Sequence, residues 1–258
     1  MGTVTPMPDT TELVHYDVSD DVATITFDSP HNRNALSRQL VTELLAHLQT
    51  ADADDAVKVV VIRAEGKVFC SGADLSEASA DGMEQGANAM VAMQRRIVAM
   101  GKPVVTRLHG AVRAGGIGIV AASDIAISAA DATYALTEVK LGLTPAVISL
   151  TVLPRLTSRA AALTCLTGEV FDGTQAAEMG LVTRAVPVAD LDDAVDAVVA
   201  SLRTGAPQGL RETKALLARD LLDRIDAQGD GMAALSARLF GSAAAREAML
   251  AFLARKKG

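Results

Sequence analysis

Residues 109–118 read His-Gly-Ala-Val-Arg-Ala-Gly-Gly-Ile-Gly and lie between two apolar runs, Val104 to Leu108 and Ile119 to Ala122. This order predicts a strand, a glycine-rich turn and a helix. The first N–H groups of a helix have no partner within it, so such a turn exposes backbone donors. Residues 69–75 read Phe-Cys-Ser-Gly-Ala-Asp-Leu and come after the buried-strand pattern of Val57 to Ile62. They also combine a strand end, a glycine and a helix start. Both segments are candidates for binding an oxyanion.

Strand and helix patterns alternate up to about residue 190, and helical patterns follow. Two strand-like runs, Leu13 to Val18 and Val22 to Phe27, are joined by turn-favouring residues and predict a hairpin. A core domain is predicted over 12–190 and a helical region over 191–258. The predicted later elements are helices at Asn88 to Met100, Ser158 to Leu166, Gly173 to Met179, Val188 to Leu202, Pro207 to Ile225, Met232 to Phe240 and Ser242 to Arg255, with a strand at Leu181 to Val186.

Composition restricts the function classes. The 258 residues are 50% hydrophobic and carry a formal charge of −7, which argues against a nucleic-acid partner because phosphates are held mainly by Lys and Arg. The two cysteines are too few for a disulfide framework and suit a reducing compartment. No apolar run of about 18 residues and no basic, apolar start is present, so we expect a cytoplasmic protein without a membrane segment.

Five segments, taken in order, resemble the signatures of the crotonase (enoyl-CoA hydratase/isomerase) family. They are Asn34-Ala35-Leu36, the segment 69–75, the segment 109–116, Thr137-Glu138-Val139-Lys140-Leu141-Gly142-Leu143-Thr144-Pro145, and the terminal helix from Glu247 to Lys256. The resemblance covers about residues 12–256. It implies an α/β fold, the crotonase spiral of repeated ββα units in two sheets, followed by a C-terminal helical trimerisation region.

The resemblance also implies a set of site residues. The backbone N–H groups of Ala73 and Gly115 would form an oxyanion hole, and Glu138 would be the catalytic carboxylate. The residues expected to bind substrate are Arg33, Ala35, Cys70, Gly72, Asp74, Gly116, Gly118, Pro145, Phe252 and Arg255, with Arg33 and Arg255 near the CoA phosphates. The implied ligand is an acyl-CoA thioester, with no metal and no cofactor besides CoA itself. A homotrimer or a dimer of trimers is implied as well.

Gly118 departs from the family pattern. Hydratases of the family normally use two glutamates to hold and activate water, and the first of them falls on Gly118. The sequence therefore favours hydration of a short or branched 2-enoyl-CoA with Glu138 alone. Enoyl-CoA isomerisation, acyl-CoA decarboxylation and non-catalytic acyl-CoA binding stay open. Arg113 is a candidate for a salt bridge, a trimer contact or the partner of a second carboxylate on the acyl group.

A dinucleotide-binding site is the competing interpretation. Residues 116–121 fit the pattern G-x-G-x-x-A, and Glu138 follows about 20 residues later. That pattern normally opens a full helix, whereas a strand-like run, Ile125 to Ser128, begins seven residues after Gly118. The interpretation also leaves the segment 69–75 without a role, so we favour the acyl-CoA enzyme.

Overall fold

The computed structural model describes residues 11–74, 77 and 80–255, with the backbone alone for 80–82 and 252–255. Ten strands are found in this part of the chain. They are β1 Val14–Ser19, β2 Val22–Phe27, β3 Val59–Ala64, β4 Val68–Cys70, β5 Val104–Leu108, β6 Ala111–Arg113, β7 Ile125–Ala129, β8 Thr133–Ala135, β9 Phe171–Asp172 and β10 Arg184–Val186.

The strands form two mixed sheets. The larger has the order β1-β2-β3-β5-β7-β10, and the smaller has the order β4-β6-β8-β9. Strand β1 pairs antiparallel with β2 in the predicted hairpin, and the other neighbours in the larger sheet are parallel. In the smaller sheet β4, β6 and β8 are parallel to one another, so their carboxyl ends share one edge.

Helices surround and follow the sheets. They are α1 Arg38–Ala53, α2 Ala80–Ala99, α3 Gly115–Ala122, α4 Ala146–Arg155, α5 Ser158–Thr167, α6 Gly173–Glu178, α7 Leu191–Arg203, α8 Pro207–Phe240 and α9 Ala243–Arg255. A 3₁₀ turn spans Glu138–Leu141. Helix α1 is capped by Ser37, whose side chain accepts a hydrogen bond from the Leu40 amide at 3.2 Å.

The core is aliphatic, as the composition requires. Strand β3 is buried along almost its whole length, which suits the inner strand of a parallel sheet. The rings of Phe27 and Phe69 join the larger sheet to the smaller one, whereas Tyr134 and Phe171 stack as cross-strand neighbours within the smaller sheet. None of the described helices combines the length and apolar character that crossing a bilayer requires.

Several predicted bounds are wrong. Helix α2 begins at Ala80, eight residues before the predicted start at Asn88, and helix α4 lies where no helix is predicted. Strand β10 begins at Arg184, three residues after the predicted start, and β3 runs two residues further along the chain than predicted. The two helices predicted between Pro207 and Phe240 are one helix.

The contact made by Gly229 explains why α8 continues through the break that the sequence predicts. Gly229 lies inside this helix, and a Cβ added there would be 2.8 Å from Cγ1 of Val91 on α2. The glycine therefore lets the two helices pack closely, and this packing outweighs its low helix propensity. Helix α7 begins at Leu191. The division into a core over 12–190 and a helical region over 191–258 stays a prediction.

Candidate active site

The three predicted catalytic groups lie in the segments that follow three strands of the smaller sheet. Strand β4 leads to Ala73, β6 leads to Gly115, and β8 leads to Glu138. Because these strands are parallel neighbours, the segments that follow them leave the same edge of the sheet. Ala73, Gly115 and Glu138 all line one cavity of about 320 Å³.

The Ala73 amide faces away from its neighbouring strand segment. Leu36 forms a parallel bridge with Ala73, in which the Leu36 amide donates to the Gly72 carbonyl at 2.8 Å and the Asp74 amide donates to the Leu36 carbonyl at 3.5 Å. Successive N–H groups of an extended chain point to opposite sides. The Ala73 N–H therefore points away from Leu36, and Ala73 is exposed in the cavity wall.

Gly115 supplies a second donor. It is the first residue of α3, and the residue before it, Ala114, gives no side-chain cap. The amide of Gly115 therefore has no intrahelical partner and lies at the positive end of the helix dipole. Ala114 has φ +44°, a conformation that residues with a Cβ rarely adopt. Such strain is often found where a backbone is held for function.

Glu138 is the carboxylate beside these donors. Its Oε2 atom is buried and has no hydrogen-bond partner among the described residues. Burial raises the pKa of the Glu138 carboxyl from 4.5 to about 7, and a hydrogen bond from its own backbone N–H offsets only part of the rise. At neutral pH both the charged and the protonated form are populated. This is the property of a group that takes and returns protons.

Gly118 lies behind the cavity wall. It is buried in α3, and a Cβ added to it would be 2.8 Å from Cγ2 of Ile148 and 3.4 Å from the carboxamide of Gln94. Gln94 and Thr151 are fully buried, and the Thr151 hydroxyl donates to Oε1 of Gln94 at 2.6 Å. The space into which a side chain at position 118 would project is therefore occupied by neutral groups.

We expect Gly118→Glu to lower the free energy of unfolding by more than about 3 kcal/mol, because overpacking alone costs about 1–3 kcal/mol and a buried, unpaired carboxylate adds to it. Gly118→Ala, the matched control, should cost less, since only its Cβ meets Ile148. Urea unfolding monitored by circular dichroism gives both values. A stably folded Gly118→Glu enzyme that gains hydration of crotonyl-CoA would contradict this prediction.

The cavity itself is mainly apolar. Its walls come from α1, α2, the start of α4 and the end of α8. The apolar lining residues are Leu36, Val41, Leu45, Met83, Ala87, Ala89, Met90, Leu143, Pro145, Ala146, Val147, Ile148 and Phe240. Among the described lining residues, Arg38 is the one cation, and Asp74 and Glu77 are the acids besides Glu138. The lining therefore suits an uncharged hydrocarbon chain.

The other predicted residues divide into two groups. Asp74 and Pro145 line the cavity with the catalytic groups. The second group, Ala35, Cys70, Gly72, Gly116 and Gly118, is buried, and it does not belong to the described cavity lining. Members of this group support the wall rather than form its surface.

Arg33 and the backbone of the C-terminal helix are not part of the described cavity lining. Arg33 is exposed, in the left-handed conformation, after a short 3₁₀ turn. The backbones of Phe252 and Arg255 belong to α9, but their side chains lie outside the described part of the chain. Arg113 donates to the Thr133 carbonyl and hydroxyl at 2.5 and 3.1 Å, and it is not among the described cavity residues. These contacts do not favour a role for Arg113 in holding an acyl carboxylate.

The sequence predicts no site role for Asn34, Leu36 or Met90, although Asn34 and Leu36 belong to one of the quoted signatures. Leu36 and Met90 press on Gly115: a Cβ added to this glycine would be 2.6 Å from Cδ1 of Leu36 and from Cε of Met90. Asn34 is 1% exposed, and its amide donates to the carbonyls of Glu65 and Val68 at 3.0 and 2.8 Å. It thereby anchors the segment that leads to Leu36. Its sequence signal is weak, because only the structure shows its left-handed backbone.

Comparison with known proteins agrees with this geometry. A profile of the enoyl-CoA hydratase/isomerase family matches residues 17–258. A probable enoyl-CoA hydratase of Bacillus subtilis is 32% identical over 250 residues, 93% of this chain and 95% of that protein. A peroxisomal Delta(3,5)-Delta(2,4)-dienoyl-CoA isomerase of Arabidopsis thaliana is 28% identical, over 96% of this chain and 95% of that protein.

A solved structure extends the likeness to the fold. An enoyl-CoA hydratase from Mycobacterium avium superposes with a TM-score of 0.90 at 46% identity, covering 95% of this chain and 98% of that one. The predicted crotonase fold is therefore confirmed.

Proposed function

This chain belongs to the enoyl-CoA hydratase/isomerase family, and from that premise we propose that it isomerises an enoyl-CoA thioester by moving one proton between two carbons. The observation that carries the proposal is Glu138, which lines a mainly apolar cavity and whose buried Oε2 has no hydrogen-bond partner among the described residues. Position 118 offers no room for a second acid. A reaction in which one carboxylate removes and returns the same proton needs no second acid.

The proposed step is balanced within the substrate. The Glu138 carboxylate takes a proton from the carbon next to the carbonyl of a 3-enoyl-CoA. The electron pair spreads over the double bond and the carbonyl, so the thioester oxygen becomes negative and accepts hydrogen bonds from the Ala73 and Gly115 amides. Protonated Glu138 then gives the proton to C4, and the double bond moves to C2–C3. No atom is gained or lost.

Hydration of a 2-enoyl-CoA, which the sequence favours, is the second candidate. Its support is that the Bacillus and Mycobacterium relatives are described as hydratases. An ordered water needs two to four polar partners. The described cavity lining is mainly apolar, with hydroxyl groups at Ser37, Thr42, Thr144 and Ser236, and none of the described residues forms a hydrogen bond with Oε2 of Glu138. We therefore place isomerisation first.

The apolar lining also supports a proposal about the acyl group. We expect an uncharged hydrocarbon chain without a distal carboxylate, since Arg38, the one described cation of the lining, is offset by Asp74 and Glu77. The CoA phosphates would contact Arg33 and Arg255, as the family resemblance implies. A homotrimer or dimer of trimers also stays part of the proposal, and Leu216 and Leu217 of α8, 68% and 79% exposed in the single chain, support it.

Mass measurement separates the candidate reactions. The purified protein is incubated with 3-hexenoyl-CoA and, separately, with crotonyl-CoA in D₂O, and the products are followed by mass spectrometry and by absorbance of the conjugated thioester. Isomerisation gives the 2-enoyl product with no mass added beyond exchanged deuterium, whereas hydration adds one water. Malonyl-CoA tests decarboxylation. Binding of all thioesters without turnover of any would overturn the proposal in favour of a non-catalytic binding protein.

Gly86 gives a test of the acyl cavity. It lies on α2 in the cavity lining, one helical turn from both Met83 and Met90, and a Cβ added there would meet no atom within 4 Å. We expect Gly86→Leu to weaken binding of octanoyl-CoA about tenfold or more while leaving butyryl-CoA within about twofold, because each buried methylene contributes about 0.8 kcal/mol. Calorimetric titration with these saturated thioesters measures the effect without turnover.

Gly231→Leu is the matched control for Gly86→Leu. Gly231 lies inside α8, has equal space around a Cβ and is not among the described cavity residues. Both changes remove a helical glycine, so both should raise stability by a similar amount. Equal affinity of both variants for octanoyl-CoA would show that the chain binds elsewhere.

A further inference from the structure

Cys70 ends strand β4 directly below the two candidate oxyanion donors. Its side chain is 0% exposed, and the residue is not part of the described cavity lining. It pairs with Val112 of β6 across the smaller sheet. The sulfur therefore lies between the segment that continues to Ala73 and the segment that continues to Gly115.

The Cys70 side chain touches both of these segments. The Gly72 amide donates a hydrogen bond to Sγ at 3.4 Å. Gly116 packs directly against the same side chain, since a Cβ added to Gly116 would be 2.7 Å from Cβ and 3.0 Å from Sγ of Cys70. Gly72 directly precedes Ala73, and Gly116 directly follows Gly115. One side chain therefore contacts a neighbour of each candidate donor.

The chemistry of the thiol fits an acceptor and not a nucleophile. Burial raises the pKa of Cys70 to about 12, so the group stays neutral. A buried neutral thiol is inert as a nucleophile. The Cys70 thiol can still fill a defined volume in the core and accept weak hydrogen bonds.

We propose that Cys70 is a positioning residue that sets the separation of the Ala73 and Gly115 amides. The inference rests on the proposed function, in which these two amides bind the thioester oxygen. Without the sulfur, the Gly72 amide loses a buried acceptor and Gly116 loses the side chain against which it packs, so each segment can shift. A shift of about 1 Å in a catalytic group costs up to about 10²-fold in rate.

The test compares Cys70→Ala with Cys70→Ser. We expect Cys70→Ala to lower kcat for 3-hexenoyl-CoA about 10- to 100-fold with KM within about threefold, because the hole acts mainly on the enolate and not on the bound thioester. Cys70→Ser keeps an acceptor and should retain kcat within about fivefold. Val195→Ala on α7, a buried truncation away from the site, controls for general destabilisation and should leave kcat unchanged.

The wild-type enzyme separates this inference from the proposed function. If wild type neither isomerises 3-hexenoyl-CoA nor exchanges its C2 hydrogen with D₂O, the proposed function fails. If wild type is active and folded Cys70→Ala keeps the same kcat, the positioning role fails.

Amide hydrogen exchange tests the same contacts without activity. In wild type, the Gly72 and Gly116 amides should exchange at least tenfold more slowly than those of Ala73 and Gly115, which face the cavity. Equal, fast exchange at all four positions would overturn the proposal even if Cys70→Ala does not fold.

Discussion

Replacing Glu138 with glutamine should lower kcat by about 10²- to 10⁴-fold, the range that a positioned acid–base group supplies. Glutamine keeps the shape and one acceptor oxygen but cannot take a proton from carbon. Affinity for saturated acyl-CoA thioesters should stay within a few fold, since glutamine has the size of glutamate and the proposed contacts to the thioester oxygen and the phosphates are made by other residues. Turnover of 3-hexenoyl-CoA and calorimetric binding of hexanoyl-CoA measure the two quantities.

The same substitution should change stability in a pH-dependent way. Because the pKa of Glu138 is raised from 4.5 to about 7, the folded protein favours the protonated form. The contribution of Glu138 to the free energy of unfolding is therefore fully present below pH 4.5. It is lost as the pH rises through about 7, because the folded protein then holds a charged carboxylate in an apolar site. A shift of this size corresponds to at most about 3 kcal/mol.

Glu138→Gln should therefore be more stable than wild type at pH 8.5 and lose that advantage near pH 4.5. Glu178→Gln, at an exposed position on α6, is the control and should show no such difference. Substantial turnover by a folded Glu138→Gln enzyme would remove Glu138 from the mechanism. Asp74 and Glu77 in the cavity wall would then be the next acids to test.

The fold and the place of the chemistry were accessible from the sequence for a physical reason. An oxyanion hole made of backbone amides requires strand ends followed by turns and helix starts, and these patterns are local. The segments around Ala73 and Gly115 show such patterns, and the structure brings both to one cavity with Glu138. The order of the segments along the chain then pointed to one family, which the comparisons confirm.

What the sequence did not reveal depends on contacts between distant segments. The continuity of α8 depends on how closely Gly229 approaches α2, and propensity alone favours a break there. The sequence shows that Gly118 stands where the family pattern has a glutamate. Only the structure shows that Ile148 and Gln94 occupy the space that a side chain at position 118 would need. The sequence predicts that Cys70 binds substrate, and only the structure shows that its side chain is fully buried and not part of the described cavity lining. Tertiary packing decides each of these cases.

Placing proline at position 73 should lower kcat by about 10²- to 10³-fold, the usual cost of losing one oxyanion donor. Proline has no N–H, and the N–H that it removes from Ala73 is the one that faces away from Leu36. The bonds of the Leu36 ladder, made by the Gly72 carbonyl and the Asp74 amide, do not use it. Ala73 is also exposed in the cavity, so no core packing is lost.

Ala73→Gly is the matched control, because it removes the side chain and keeps the donor. We expect this variant to retain kcat within a few fold, which separates the amide from the methyl group. Circular dichroism and thermal unfolding must show that Ala73→Pro is folded before its kinetics are compared. A folded Ala73→Pro enzyme with the turnover of wild type would exclude the Ala73 amide from the oxyanion hole. Gly115 would then be the one remaining donor of the proposed pair, and enolate stabilisation would need another group in the cavity wall.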